Sequence, residues 1–151
     1  QMTVHVRLVE PSDERSWAEL YTGYRSFYLL PDDRECLARA WAWVKDGRHG
    51  LVGLVAVSEN DRPVALANLR WFARPSTATR GLYLDDLFTA PEARGLGAAT
   101  ALLRYSAEYA AREGASVVRW ITADDNAPAR SIYEAHATAT RWVTYDMKPS
   151  R

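Results

Sequence analysis

Tyr83-Leu84-Asp85-Asp86-Leu87-Phe88-Thr89 leads through Ala90-Pro91-Glu92-Ala93 into Arg94-Gly95-Leu96-Gly97-Ala98-Ala99-Thr100. The first seven residues read as an apolar, aromatic-containing strand. Pro91 breaks it, and the pair of glycines opens a long Ala/Leu/Arg helical pattern. A strand, a tight turn and a helix N-terminus in this order bring the unpaired first N–H groups of the helix together at one point. The helix dipole favours negative charge there. Gly95 and Gly97 let the backbone approach a ligand closely, and a phosphate or pyrophosphate is the natural guest. Asp85 and Asp86 sit inside the strand, where a carboxylate is costly to desolvate and therefore needs a partner or a task.

Outward from this stretch, Val4, Val6 and Leu8 alternate with His5 and Arg7, giving a first strand. Pro11-Ser12-Asp13 starts a helix, with Ser12 or Asp13 as cap. Trp17, Leu20, Tyr21, Tyr24, Phe27 and Tyr28 share one face of it, mostly as core. Tyr24 and Tyr28 lie nearest the break at Pro31 and are the members expected to edge a pocket. Asp32-Asp33 caps a second helix through Val44, closed by Gly47. Leu51–Val57 and Val64–Phe72 form a hairpin across Glu59–Pro63. The helix after the glycine turn runs from about Gly97 to Arg112 with Gly114 as its cap. A strand is expected over Val117–Thr122, a short helix from Ala127 or Pro128 to about His136, and a closing strand over Thr140–Met147. The order β-α-α-β-β-β-α-β-α-β predicts a mixed α/β domain, one unit over residues 2–149, with helices on the faces of its sheet.

Nineteen basic and 19 acidic residues give a net charge of zero and no field for nucleic acid or an anionic membrane. Cys36 is the one cysteine, so no intramolecular disulfide forms, and no apolar run approaches a membrane span. A soluble cytoplasmic protein is expected. His5, His49 and His136 are scattered and no cysteine cluster accompanies them, so no metal site is expected. Gly-x-Ser-x-Gly and Gly-Lys-Ser/Thr signatures are absent.

Leu84-Asp85-Asp86-Leu87-Phe88-Thr89-x-Pro91-x-x-Arg94-Gly95-Leu96-Gly97-Ala98-Ala99 resembles the acetyl-CoA-binding motif Arg/Gln-x-x-Gly-x-Gly/Ala of the GCN5-related N-acetyltransferase (GNAT) family. Asn126-x-x-Ala129-x-x-x-Tyr133 resembles that family's second motif, and the two together cover about a third of the chain. The acidic strand is similar to the diamine and small-amine branch. Ala137-Thr138 stands where a glycine-aromatic pair is usual, which resembles the branch of yeast histone and polyamine acetyltransferases.

The resemblance implies a mostly antiparallel central sheet of six to seven strands flanked by about four helices. It implies acetyl-CoA as cosubstrate, its pyrophosphate held by main-chain amides of Gly95, Leu96, Gly97, Ala98, Ala99 and Thr100. Arg94 would add a charge-assisted contact, and Asn126 would hydrogen-bond the cofactor, cap the helix at Pro128, or do both. Main-chain groups of Leu87, Phe88 and Thr89 would pair with the pantetheine arm. Tyr133, beside the cofactor thiol, would be the general acid. Asp85 or Asp86 would be the general base or amine anchor and, with Tyr24 and Tyr28, would bind the substrate. Side-chain alternation puts the two aspartates on opposite faces unless a bulge redirects one. The acidity of Asp32, Asp33, Asp85, Asp86, Asp124 and Asp125 favours a small cationic acceptor: a polyamine, an amino sugar or an amino-acid derivative. A protein acceptor and a non-catalytic acyl-CoA-binding sensor are the rival readings. A homodimer is expected.

Overall fold

Apolar runs build, among the described residues, a sheet of five strands in the order β1-β2-β3-β4-β5, with short polar turns joining β2 to β3 and β3 to β4. They are β1 (His5–Leu8), β2 (Leu51–Val57), β3 (Pro63–Arg74), β4 (Thr79–Thr89) and β5 (Ala115–Arg119). The structure, a computed structural model, describes residues 3–150. β1, β2, β3 and β4 pair antiparallel in sequence order, and β5 joins β4 in parallel. Among the described residues four α-helices accompany the strands: α1 (Glu14–Phe27), α2 (Arg34–Asp46), α3 (Ala98–Glu113) and α4 (Ala127–Glu134).

The chain divides after Ile121 into two compact units. In the first, one face of the sheet is covered by α1 and α2. Trp17 and Leu20 of α1 and Trp41 and Val44 of α2 pack with Val55, Val57, Val64 and Leu66. Trp17 is completely buried, and cutting it to alanine would cost about 3–5 kcal/mol. Alternation turns Leu54, Ala56, Ala65, Ala67, Leu69 and Leu82 to the other face. α3 packs against β2, β3 and β4 and buries Leu102, Leu103 and Ala110. α2 starts and stops where its sequence says. The Asp33 carboxylate accepts from the Cys36 N–H at 3.0 Å, and Gly47 ends the helix in the left-handed conformation. Asp13 does not cap α1 with its side chain. Its carboxylate instead accepts from Arg7 at 2.7 and 2.9 Å and from the Glu10 N–H at 2.8 Å.

The second unit consists of α4, capped by Asn126, and irregular chain on either side of it. Here the structure corrects the expected strand count. Among the described residues there are five strands, not six to seven, and residues 140–147 form none. Val143, Tyr145 and Met147 do alternate, but a strand exists only when a neighbour takes up its backbone groups, and β propensity follows that context. Trp142, Tyr145 and Met147 are each about nine-tenths exposed.

Candidate active site

β4 does not keep a simple alternation. Asp86 faces Asn68 on β3, whereas the next opposed pair is Leu84 with Leu69, so Asp85 has no residue opposite it. This extra residue is a β-bulge, which redirects a side chain. Asp85 accepts from Arg70 Nε at 2.9 Å, and Asp86 accepts from Asn68 Nδ2 at 2.9 Å. Asn68 and Arg70, two apart on one strand, share a face. Both carboxylates therefore stand on the face of the sheet that α1 covers.

α1 reaches this corner because Gly23 leaves room: a Cβ there would lie 2.8 Å from the Phe88 ring. Tyr21 and Tyr24 stack with ring centroids 5.4 Å apart, and Tyr28 follows 4.9 Å beyond Tyr24. The Tyr21 hydroxyl donates to Asp86 Oδ2 at 3.0 Å, and that of Tyr24 lies 3.4 Å from the main-chain oxygen of Asp85. Burial, and then the Asp86 charge, push both phenols well above their ordinary range. They are hydrogen-bond donors at neutral pH. Burial also raises the Asp85 carboxyl above its usual range, against the lowering effect of Arg70. The corner is thus organised around Asp86, held by two donors, and Asp85, held by one cation.

Further along β4, the pairing with β5 ends at Tyr83 with Arg119, so among the described residues the β5-facing edge of residues 84–89 carries no ladder. Their other edge stays paired with β3 as far as Thr89 with Ala65. Leu87, Phe88 and Thr89 thus keep one row of main-chain groups available. Arg94 Nε donates to the Thr89 carbonyl at 3.3 Å, and its guanidinium lies 5.6 Å from the centre of the Phe88 ring. α1 and the end of β4 border a cleft of about 410 Å³ lined by residues that include Gly23, Phe27, Phe88 and Arg94.

Gly95 and Gly97 have φ of +82° and +84°. A Cβ at either would touch nothing within 4 Å, so glycine is needed there for its left-handed backbone and not for space. α3 starts at Ala98, no side chain caps it, and its first internal bond runs from the Ala101 N–H to the Gly97 carbonyl. The amides of Ala98, Ala99 and Thr100 precede that bond. An uncapped N-terminus of a 16-residue helix, behind two left-handed glycines, matches the needs of a pyrophosphate.

In the second unit, Asn126 Oδ1 accepts from the Ala129 N–H at 3.4 Å, so Asn126 caps α4 as its position implies. Its Nδ2 lies 3.4 Å from Thr122 Oγ1. Tyr133, two turns on, is half-buried.

The structure thus brings together Asp85, Asp86 and Tyr24, with Tyr28 next in the row of rings. It also supplies three partners that the sequence reading did not single out for the site: Tyr21, Asn68 and Arg70. By its spacing alone Tyr21 belongs to the aromatic stripe that packs the core. Asn68 and Arg70 carry the same signal that exposed the aspartates, polar residues inside an apolar strand run.

Residues 16–137 match the acetyltransferase (GNAT) family. The chain is 32% identical over 131 residues to the uncharacterized N-acetyltransferase YhfO of Bacillus subtilis (strain 168), covering 87% of each protein. It is 26% identical to the D-amino-acid N-acetyltransferase HPA3 of Saccharomyces cerevisiae, over 93% of this chain and 88% of that one. A crystal structure of a probable acetyltransferase superposes with a TM-score of 0.85 at 24% identity, over 97% of this chain and 99% of the other. Acetyl-CoA is the cosubstrate of this family, and its two sequence motifs lie within the matched residues. The chain belongs to the acetyltransferase (GNAT) family and is an acyltransferase enzyme.

Proposed function

We propose that the protein transfers acetyl from acetyl-CoA directly to the primary amine of a small cationic molecule, with the acidic corner of β4 as the amine site. The observation that carries this reading is the bulge at Asp85. It sets two carboxylates on one face, immediately before a stretch of β4 whose outer edge is unpaired among the described residues. That HPA3 is a D-amino-acid N-acetyltransferase supports a small amino-acid-like acceptor over a protein. The family match runs through both units, which supports a single N-acetyltransferase domain over 2–149.

Acetyl-CoA, when bound, supplies an activated acetyl thioester. Its pyrophosphate is assigned to the amides of Gly95, Leu96, Gly97, Ala98, Ala99 and Thr100, with Arg94 alongside. An N–H in the Leu87–Thr89 segment aimed at the thioester oxygen would stabilise the charge that develops there. The acceptor arrives mostly as an ammonium, since its pKa is roughly 10. Asp86, already fixed by Tyr21 and Asn68, anchors it. Asp85 takes its proton, a task suited to a carboxyl raised by burial. Tyr133, by its motif position, returns a proton to the departing thiolate, and Asn126 contacts the cofactor while capping α4. Tyr24 and Tyr28 form a wall of the amine site. The exposed side chains of Leu29, Trp142, Tyr145 and Met147 support a homodimer, the assembly we assign.

Replacing Tyr133 with phenylalanine tests the acid. Amine-dependent thiol release should fall by about 10²- to 10⁴-fold, with acetyl-CoA affinity unchanged within about twofold. A matching loss of affinity would remove Tyr133 from that role. Binding of acetyl-CoA with no release by any amine would favour the sensor reading.

A further inference from the structure

The amine site holds a cation of its own. Arg70 spends only Nε on Asp85, at 2.9 Å, and its guanidinium rests 4.5 Å above the centre of the Tyr83 ring. Among the described residues no hydrogen bond occupies either of its Nη groups, and the side chain is 43% exposed. One edge of a guanidinium is thereby held by a carboxylate and its face by an aromatic ring, while the edge that matches a carboxylate remains open to solvent. Next to it, Asn68 is 97% buried, since its relative exposure is 3%. Its Nδ2 serves Asp86, and its Oδ1 has no partner among the described residues. A buried acceptor without a donor is costly, and a ligand N–H would relieve it. The corner therefore offers acceptors for an ammonium and, one contact away through Asp85, a fork for a carboxylate. A polyamine would meet Arg70 as a like charge.

We propose that Arg70 is the specificity-determining residue that selects α-amino acids, whose ammonium and carboxylate share one carbon, over amines without a carboxylate. The proposal rests on the amine site assigned above and narrows it. In the bound acceptor, the amine lies against Asp86 and the Asn68 Oδ1, within reach of Asp85. The carboxylate takes the Nη edge of Arg70. No bond changes at Arg70, so it acts on binding and orientation alone.

Matched acceptors test this with the wild-type protein: leucine in both enantiomers, leucinamide and 3-methylbutylamine, each assayed by thiol release from acetyl-CoA. The amide keeps the size and removes the charge. Its less basic amine is uncharged more often, so a preference for the acid has to come from recognition. At least one enantiomer of leucine should exceed both analogues that lack the carboxylate in kcat/KM by about tenfold to a hundredfold, the worth of a hydrogen bond to a charged group. In Arg70→Gln this ratio should collapse towards one, chiefly through the KM for leucine. Arg70→Lys, which keeps the charge and loses the fork, should fall between. Equal or better use of 3-methylbutylamine by the wild type would overturn the proposal, as would a variant that slows acid and amine alike. Both results leave N-acetylation itself standing. Binding of acetyl-CoA with no turnover of any amine would instead overturn the amine-acetylation reading and this inference with it.

Discussion

The acidic corner of β4 and the glycine turn lie within fifteen residues of each other yet are built from different materials. The corner is made of side chains: Asp86 between Tyr21 and Asn68, Asp85 on Arg70, all positioned by one bulged residue. The turn is made of backbone: two left-handed glycines and an uncapped helix end, with no side-chain cap. Charge and burial tune the first, so substitutions that preserve shape can silence it. Torsion angles set the second, so it fails when φ is forced. One half of the site is thus suited to discriminate among acceptors and the other to hold an invariant cofactor.

The sharpest way to break this contrast is Asp85→Asn. It should lower kcat by about 10²- to 10⁴-fold while leaving the dissociation constant for acetyl-CoA, read by titration calorimetry, within about twofold. Gly97→Val should do the reverse. A β-branched residue at φ of +84° costs about 1–3 kcal/mol, weakening acetyl-CoA binding by about 5- to 150-fold. Saturating cofactor should restore most of the rate. Loss of cofactor binding in Asp85→Asn, or of turnover alone in Gly97→Val, would erase the distinction. Tyr21→Phe removes one of the two donors to Asp86 without changing the fold of α1. Because that donor serves an anchor, the KM for the amine should rise by about tenfold, with kcat changing less.

A smaller effect lies outside the site. Burial alone would raise the Asp13 carboxyl, but the Arg7 pair and the Glu10 N–H outweigh it and hold it below the ordinary carboxylate range. A carboxyl lowered in the folded state stabilises at pH above its unfolded value. That stability is lost as pH falls from about 4 through the folded value. Thermal melts should therefore show a steeper acid decline for the wild type than for Asp13→Asn, although the variant is less stable at neutral pH.

Much of this was legible in the residues themselves. Leu51–Val57 was delimited as β2 by its unbroken apolar run, and Gly47 and Asn126 announced a helix end and a helix start. The paired motifs pointed to the family that residues 16–137 match. Three things were not readable. The bulge at Asp85 depends on the register between β3 and β4, and nothing local to Asp85 fixes it. Tyr21 belongs to a helical aromatic stripe, where periodicity alone cannot separate a core ring from one whose hydroxyl reaches a carboxylate 65 positions away. Residues 140–147 have strand-like alternation, yet alternation states only a preference, and whether a partner strand is present is a property of the whole structure.

The most direct test of the central claim is one preparation of the wild-type protein titrated with acetyl-CoA and then assayed for thiol release with and without an added small amine. The account predicts saturable binding, little release alone, and stoichiometric release coupled to N-acetylation when the amine is present. Binding without amine-dependent release, or no binding at all, would contradict it.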